Sequence, residues 1–142
     1  MLKIVGMAAA LLAAVAAGLT PAKAEIVAQV SLTTQTMTVT VDGVSSYTWP
    51  VSTARRGYIT PKGKWGVQSM HKMHYSSLFN NAPMPFTIFY DGHYAIHGTV
   101  DVKRLGRPAS AGCVRLHPDN ARTLFDLVKG RGPDALQVVV DG

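Results

Sequence analysis

The chain reads Thr36-Met37-Thr38-Val39-Thr40-Val41, turns at Asp42-Gly43 and continues from Val44 to Val51. The first run alternates apolar and polar side chains, which is typical of a strand with one buried face. Asp-Gly favours a two-residue hairpin turn, because such a turn needs positive φ at both central residues. Ile26-Val27-Ala28-Gln29-Val30-Ser31-Leu32 precedes them as another strand. We therefore predict that the domain opens with a three-stranded β-meander.

A second hairpin is predicted around Asp91-Gly92. Phe86-Thr87-Ile88-Phe89-Tyr90 precedes that turn as an apolar strand, and His93-Tyr94-Ala95-Ile96-His97 follows it as another. Tyr75 to Pro85 has no clear period and holds two prolines and an Asn-Asn pair. That segment is therefore predicted to be a loop.

One helix is predicted, starting at Pro118 with Asp119 in its first turn and stopping at Gly130. Ala135 to Val140 follows as a closing strand, and its continuous apolar run indicates a central place in a sheet. The predicted fold is mostly β. Mixed sheets form a sandwich or barrel-like arrangement, and the α-helix that follows Cys113 packs on a sheet.

The N-terminus has the layout of a secretory signal peptide. Met1-Leu2-Lys3 is followed by an apolar run from Ile4 to Leu19 and by the small-x-small pattern Ala22-Lys23-Ala24. A membrane anchor is the alternative, but the run is shorter than the roughly 20 residues that a spanning helix needs. We therefore expect residues 1–24 to be a cleaved signal peptide, residues 25–142 to form one catalytic domain, and the protein to be periplasmic.

Loss of the signal peptide would leave 12 Lys and Arg against 8 Asp and Glu, a net charge of +4. Such a charge suits an anionic partner such as a carboxylate-rich polymer, and it equally serves simple solubility. No basic run is interleaved with aromatic residues, so nucleic acid is not predicted as a partner.

Cys113 is the single cysteine of the chain, and it has no internal partner for a disulfide. An unpaired cysteine in an exported protein indicates an intermolecular bond, a reactive thiol or a small buried hydrophobe. His97 ends a predicted strand 15 residues before it. An imidazole that takes the thiol proton creates the nucleophile that acyl transfer needs. Cys113 and His97 are thus a candidate catalytic pair, the alternative being a packed histidine and a buried cysteine.

Three neighbours are candidate supports for this pair. Gly112 allows a sharp turn, after which the N–H groups of Gly112 and Cys113 are expected to point into a cleft and stabilise an oxyanion. No Asp or Asn is placed to hold the imidazole of His97, so the carbonyl of Gly98 is the first candidate. Ser110 either hydrogen-bonds the substrate or stabilises the turn.

Ile96-His97-Gly98-Thr99, together with Ser110-Ala111-Gly112-Cys113-Val114-Arg115-Leu116, resembles the signature of the YkuD-type L,D-transpeptidase catalytic domain. Val51-Ser52-Thr53, Thr60-Pro61-Lys62-Gly63-Lys64-Trp65 and Met84-Pro85-Phe86 also resemble that family, in the right order. The resemblance extends over nearly all of the predicted mature chain.

The resemblance implies a peptidoglycan L,D-transpeptidase that uses no cofactor and no metal. Cys113 would attack a tetrapeptide stem at its third residue, a diamino acid, and release the terminal D-alanine. The acyl group would pass to an amine of another stem or of a protein, such as one of the outer membrane, or to water. Carbapenem-type β-lactams would be covalent inhibitors of the thiol.

The chain departs from the family pattern at two positions. The family usually has His where this chain has Ala111, so assistance from a second ring would be absent. Asn is frequent where this chain has Arg115, whose guanidinium is expected either to bind a stem carboxylate in a bidentate manner or to form an ordinary surface ion pair.

Three other interpretations remain open from the sequence. The first is a catalytically weak or inactive wall-binding module of the same fold, and its support is Ala111. The second is a hydrolase of the L,D-carboxypeptidase or endopeptidase type. The third is a sortase-like or papain-like thiol enzyme. A zinc site is also conceivable, although the spacing of its potential ligands matches no common metal pattern. Those potential ligands are His71, His74, His93, His97, Cys113 and His117.

Overall fold

The computed structural model describes residues 24–142 and contains two β-sheets and one α-helix. Nearly all of the predicted signal peptide, residues 1–23, lies outside the described residues. The strands are β1 Ile26–Ser31, β2 Thr36–Val41, β3 Val44–Pro50, β4 Gly63–Trp65, β5 Ser69–Tyr75, β6 Pro83–Asp91, β7 Tyr94–Gly98, β8 Val114–Leu116 and β9 Leu136–Asp141. The helix, α1, is Pro118–Arg131. The predicted fold, mostly β with one helix, is confirmed.

The first sheet has the strand order β3-β2-β1-β9-β4. The predicted meander β1-β2-β3 is present, and Asp42 and Gly43 turn it with φ of 50° and 80°. β9 lies between β1, to which it is parallel, and β4, to which it is antiparallel. The central position predicted for the closing strand is therefore confirmed.

The second sheet has the strand order β5-β6-β7-β8. β5, β6 and β7 are antiparallel, whereas β7 and β8 are parallel. The chain between β7 and β8 therefore has to cross back to the end of the sheet where β7 begins, and this connection carries the segment before Cys113. The parallel pair places the last residues of β7 beside β8.

The hydrophobic core lies between the two sheets and α1. α1 packs on β6 and β7, and Ala121, Leu124, Phe125 and Val128 form its buried face. Ile88 and Ile96 meet this face from the second sheet. Because alternate residues of a strand face opposite sides, the neighbours of Ile96 point away from this core. His97 therefore lies on the face of the second sheet that is opposite to Ile96.

Two predicted boundaries are wrong. The helix does not stop at Gly130 but continues to Arg131, and the residue with positive φ is Gly132, whose N–H donates to the Val128 carbonyl at 2.8 Å. The predicted loop from Tyr75 to Pro85 is only residues 76–82, because β5 ends at Tyr75 and β6 begins at Pro83.

The prolines are tolerated in β6 because this part of the strand has one neighbour. Pro83 and Pro85 pair with β5, and the pairing of β6 with β7 begins only at Ile88. A residue without an N–H loses no ladder hydrogen bond on an open edge. No helix among residues 24–142 is both long and apolar enough to cross a membrane.

Candidate functional site

The parallel pairing of β7 and β8 brings His97 and Cys113 to one face of the second sheet. His97 is directly opposite Arg115, and Cys113 precedes Arg115 by two residues. Residues paired across a sheet, and residues two apart along a strand, share a face. Cys113 itself lies in the bend just before β8, and its Sγ contacts the carbonyl of His93, which directly precedes β7. The two candidate residues therefore lie near each other beside β7.

The ring of His97 is held by one backbone contact. Its Nδ1 lies 2.7 Å from the Gly98 carbonyl, the contact expected from the sequence. Since a carbonyl only accepts, Nδ1 carries the proton and Nε2 is the basic nitrogen. Burial lowers the pKa of His97 to about 4, and the nearby charges of Arg115 and His74 act in the same direction. The imidazole is therefore neutral at pH 7 and able to accept a proton.

The thiol of Cys113 is partly exposed and is a thiol rather than a thiolate at rest. Burial raises its pKa, while the Ala95 N–H and the charge of Arg115 lower it by less. Its Sγ donates to the carbonyl of His93 at 3.6 Å. Within residues 24–142 no hydrogen bond joins Sγ to His97. The resting pair is thus neutral, so that an attack by the sulfur would require the thiol proton to move.

Ser110 fixes the turn that carries Cys113. Its side chain is fully buried. Its Oγ accepts from the Gly112 N–H at 3.0 Å and donates to the Cys113 carbonyl at 2.6 Å. Of the two alternatives for Ser110, the structure has the turn contact. The expectation of a free Gly112 N–H is wrong, because the Ser110 hydroxyl occupies it. No partner is found in residues 24–142 for the Cys113 N–H.

Gly112 is required by the shape of the turn. Its φ is +135°, and a Cβ there would lie 2.7 Å from the Tyr94 ring and 3.0 Å from the Ile59 carbonyl. Gly98 is also tightly packed, since a Cβ there would lie 3.0 Å from the backbone of Pro118. Both glycines therefore serve close approach of the chain beside the pair.

The segment 51–60 holds the loop between β7 and β8 in place through hydrogen bonds, and we call it the template segment. The sequence analysis missed this role. The Thr53 carbonyl accepts from the Ser110 N–H at 2.9 Å, and the Thr60 hydroxyl donates to the Gly112 carbonyl at 2.8 Å. The Ser52 hydroxyl donates to the Arg107 carbonyl at 2.8 Å. These side chains are buried. No local pattern marks them, because their partners lie about 50 residues away in sequence.

His71 and His74 lie on β5. Their rings are 5.8 Å apart and meet the Phe89 ring edge-on at 5.9 and 5.0 Å. His117 is the N-cap of α1, and its Nδ1 accepts from the Asp119 N–H at 3.1 Å.

No three His, Cys, Asp or Glu side chains in the part of the chain that the structure describes are grouped so as to hold a metal ion. Two surface cavities of about 430 and 310 Å³ are present, and neither is lined by Cys113 or His97. The smaller cavity lies behind the template segment, against Thr53 and Thr60. His97 is buried at 7% exposure, and Cys113 is partly exposed.

The fold is of the kind found in L,D-transpeptidase catalytic domains. The sequence model of the YkuD family, described as the L,D-transpeptidase catalytic domain, matches residues 25–140. This chain belongs to that family. The sortase-like and papain-like alternatives are therefore wrong.

Individual relatives are distant. YkuD of Bacillus subtilis (strain 168), whose name carries a provisional L,D-transpeptidase assignment, is 24% identical over 116 residues, which are 79% of this chain and 63% of that protein. The crystal structure of an L,D-transpeptidase from Stackebrandtia nassauensis has a TM-score of 0.73 and 26% identity, over 87% of this chain and 58% of that one.

L,D-transpeptidase 3 from Mycobacterium tuberculosis, solved with a faropenem-derived adduct, has a TM-score of 0.71 and 20% identity, over 83% of this chain and 60% of that one. At this identity the likeness shows the fold. This chain spans less than two thirds of the length of each of the three relatives.

Proposed function

We propose that this protein is a peptidoglycan L,D-transpeptidase in which Cys113 is the nucleophile and His97 the general base. The observation that carries the proposal is the pair itself: a partly exposed thiol directly before β8 and a neutral, backbone-held imidazole on β7, the parallel neighbour of β8. Membership in the family supports the reaction class. A cysteine beside a basic histidine is the usual arrangement for acyl transfer through a thioester.

The donor is a tetrapeptide stem that ends in D-alanine. Sγ attacks the carbonyl carbon of the third residue while Nε2 of His97 takes the thiol proton. The Cys113 N–H, which has no partner in the described residues, is placed to donate to the developing oxyanion. The C–N bond then breaks, the D-alanine nitrogen takes the proton from His97, and an acyl-enzyme remains. An acceptor amine attacks the thioester, and the sulfur recovers a proton.

The acceptor is the side-chain amine of a second stem, with an amine of an outer-membrane protein and water as the other candidates. A muropeptide analysis after incubation with purified sacculi separates these outcomes. New dimers indicate crosslinking, a protein-linked stem indicates tethering, and tripeptides without dimers indicate hydrolysis.

The nucleophile is tested with imipenem by intact-protein mass spectrometry. We expect one covalent adduct on the wild type, in line with the β-lactam adduct of the distant mycobacterial relative, and none on Cys113→Ala. His97→Gln is expected to slow acylation by about 10²-fold or more, the usual contribution of a general base. His93→Gln is the matched control, because the carbonyl of His93 that accepts from Sγ belongs to the backbone and is kept in the variant. An equal adduct on Cys113→Ala overturns the proposal.

The second candidate is a weakly active or inactive wall-binding module. Two features favour it: Ala111 stands where the family usually has His, and the thiol donates to the His93 carbonyl rather than to His97. Such a protein would bind sacculi equally well as wild type and as Cys113→Ser, and would release no D-alanine. Release of D-alanine by the wild type alone rejects it.

The protein is proposed to act in the periplasm after removal of residues 1–24. The N-terminal layout supports this, and the family match that begins at residue 25 is consistent with a mature domain starting there. N-terminal sequencing of the protein from a periplasmic extract is expected to begin at Glu25. Recovery of the full-length chain in the cytoplasmic fraction alone would contradict the proposal.

A further inference from the structure

A tight turn in the template segment carries a tyrosine whose position is set by backbone contacts. The Tyr58 N–H donates to the Arg55 carbonyl at 3.0 Å, and Gly57 supplies a φ of +94° at the third position of this β-turn. The Arg55 N–H donates to the Ser110 carbonyl at 2.9 Å. The turn is therefore fixed to the loop that carries Cys113.

The ring of Tyr58 is held in orientation and is still open to solvent. The guanidinium carbon of Arg55 lies 4.4 Å from the ring centre, and the same guanidinium donates to the Ala109 carbonyl at 3.3 Å. This cation–π contact covers one face of the ring. Tyr58 is nevertheless 44% exposed, and the adjacent Ile59 is 71% exposed. We call Tyr58 and Ile59 the aromatic platform.

The aromatic platform borders the smaller of the two surface cavities, which has a volume of about 310 Å³. Arg55 does not line this cavity, so its guanidinium and the cavity adjoin different parts of the Tyr58 ring. Apolar walls with a few polar groups among them are typical of a site for a small ligand. The apolar walls include Leu32, Tyr58, Ile59 and Pro108.

Two polar side chains of the cavity have hydrogen-bond donors that are not used. The Thr53 side chain is buried, and its Oγ1 accepts from the Gln35 amide at 2.6 Å. Within residues 24–142 no acceptor is found for the proton of this hydroxyl. Lys62 is exposed and takes part in none of the ion pairs of the same residues. A matching ligand therefore has an apolar face and oxygen acceptors.

A pyranose sugar has this combination of groups. Its ring C–H groups form an apolar face, and their positive hydrogens are attracted by the negative face of an aromatic ring. Its oxygens accept from hydroxyl and ammonium donors. An N-acetyl group adds a carbonyl acceptor for Thr53 or Lys62 and a methyl group for the apolar walls.

The aromatic platform lies beside the candidate catalytic pair. A Cβ at Gly112 would lie 3.0 Å from the Ile59 carbonyl, so the neighbour of Tyr58 touches the neighbour of Cys113. In peptidoglycan, the attacked carbonyl belongs to the third residue of a stem that is attached to a sugar of the glycan strand. Three extended residues span at most roughly 11 Å. The sugar that carries a stem is therefore close to the platform when the stem reaches Sγ.

We propose that the aromatic platform and the adjoining cavity form a carbohydrate subsite that binds an N-acetylated hexosamine of the glycan strand. Tyr58 stacks on the sugar ring, and Thr53 and Lys62 donate to its oxygens. The inference rests on the proposed function, because that function brings glycan to this side of the molecule. Binding of the sugar itself requires no thiol chemistry.

The test measures binding of two soluble oligosaccharides by NMR titration of the backbone amides. Chitotetraose has N-acetyl groups and cellotetraose has none. We expect saturable binding of chitotetraose with a Kd of about 1 mM or lower, with shifts at the amides of Tyr58, Ile59 and Lys62. Cellotetraose is expected to bind about fivefold more weakly, the loss typical of one hydrogen bond.

Substitutions of Tyr58 separate ring stacking from other contacts. Tyr58→Ala is expected to weaken chitotetraose binding by about tenfold or more, as the loss of an aromatic anchor does. Tyr58→Phe keeps the ring face and should bind within about threefold of the wild type. Tyr47→Ala removes an exposed tyrosine of β3 in the first sheet and is the matched control.

Three results overturn the inference: no binding of chitotetraose to the wild type, binding that Tyr58→Ala leaves unchanged, or equal binding of the two oligosaccharides. Imipenem acylation of the wild type is measured in parallel and reports on the proposed function alone. A Cys113 adduct without sugar binding rejects the subsite only. Sugar binding without an adduct rejects the transpeptidase proposal only.

Discussion

Replacing Ser110 by Ala should loosen the turn that positions Cys113. The change removes one hydroxyl that is fully buried and that serves two backbone groups, the N–H of Gly112 and the carbonyl of Cys113. Each group that loses its partner away from solvent costs about 1–3 kcal/mol. We therefore expect a loss of about 2–4 kcal/mol in the free energy of unfolding, a large part of the 5–15 kcal/mol typical of a domain.

This loss is measured by urea unfolding followed by circular dichroism, and by the thermal midpoint, which should fall by about 10 °C for a domain of this size. Ser45→Ala is the control, because Ser45 is exposed on β3 and is expected to change stability by less than about 0.5 kcal/mol. Imipenem acylation at a temperature where both variants are folded should be slower for Ser110→Ala. A Ser110→Ala protein as stable and as reactive as Ser45→Ala would refute the stabilising role that we assign to the two hydrogen bonds of this hydroxyl.

Three further changes test the packing and the charge state of the site. Gly112→Ala introduces a Cβ that meets the Tyr94 ring at 2.7 Å, and Gly106→Ala is its control, because Gly106 has a positive φ but open space around it. Measured by urea unfolding, Gly112→Ala should lower the free energy of unfolding by more than the roughly 1–3 kcal/mol of backbone strain alone. Acid should destabilise the wild type through His97: the native pKa of about 4 lies below the ordinary 6.5, so the unfolded chain binds the proton first and stability falls as pH drops from about 6.5 to 4. This contribution is roughly 2.5 kcal/mol at pH 4.5, and His97→Gln should lack it when unfolding is compared at pH 7.5 and 4.5. Phe125→Ala should lower the free energy of unfolding by about 3–5 kcal/mol, because that side chain is buried between α1 and the second sheet.

The parts of the fold that local chemistry specifies could be predicted from the sequence. Asp42-Gly43 between alternating strands predicted the meander, and the uninterrupted apolar run after Ala135 predicted a strand with neighbours on both sides. Pro83 and Pro85 were wrongly predicted to lie in a loop. A proline is tolerated in a strand whose N–H side is unpaired, and the sequence does not show which edges are paired. That information exists only once the sheet order is known.

The candidate site divides in the same way. A lone cysteine and a strand-end histidine are visible in sequence, and so is the need for glycine beside them. The template segment is not, because the hydroxyls of Ser52 and Thr60 gain their role from carbonyls that the fold brings to them. The occupied N–H of Gly112 was missed for a different reason: its acceptor, the Ser110 hydroxyl, is close in sequence, but the contact depends on how the turn bends.

The neutral resting pair constrains how such a site can work. Burial that lowers the pKa of His97 and raises that of Cys113 opposes a preformed imidazolium–thiolate pair. In the proposed mechanism the sulfur therefore stays protonated until an acyl donor is bound, and the proton moves together with the attack. The charge of Arg115 affects this proton transfer, because it lowers the pKa of His97. An anion bound beside Arg115 would offset this charge and make Nε2 a stronger base.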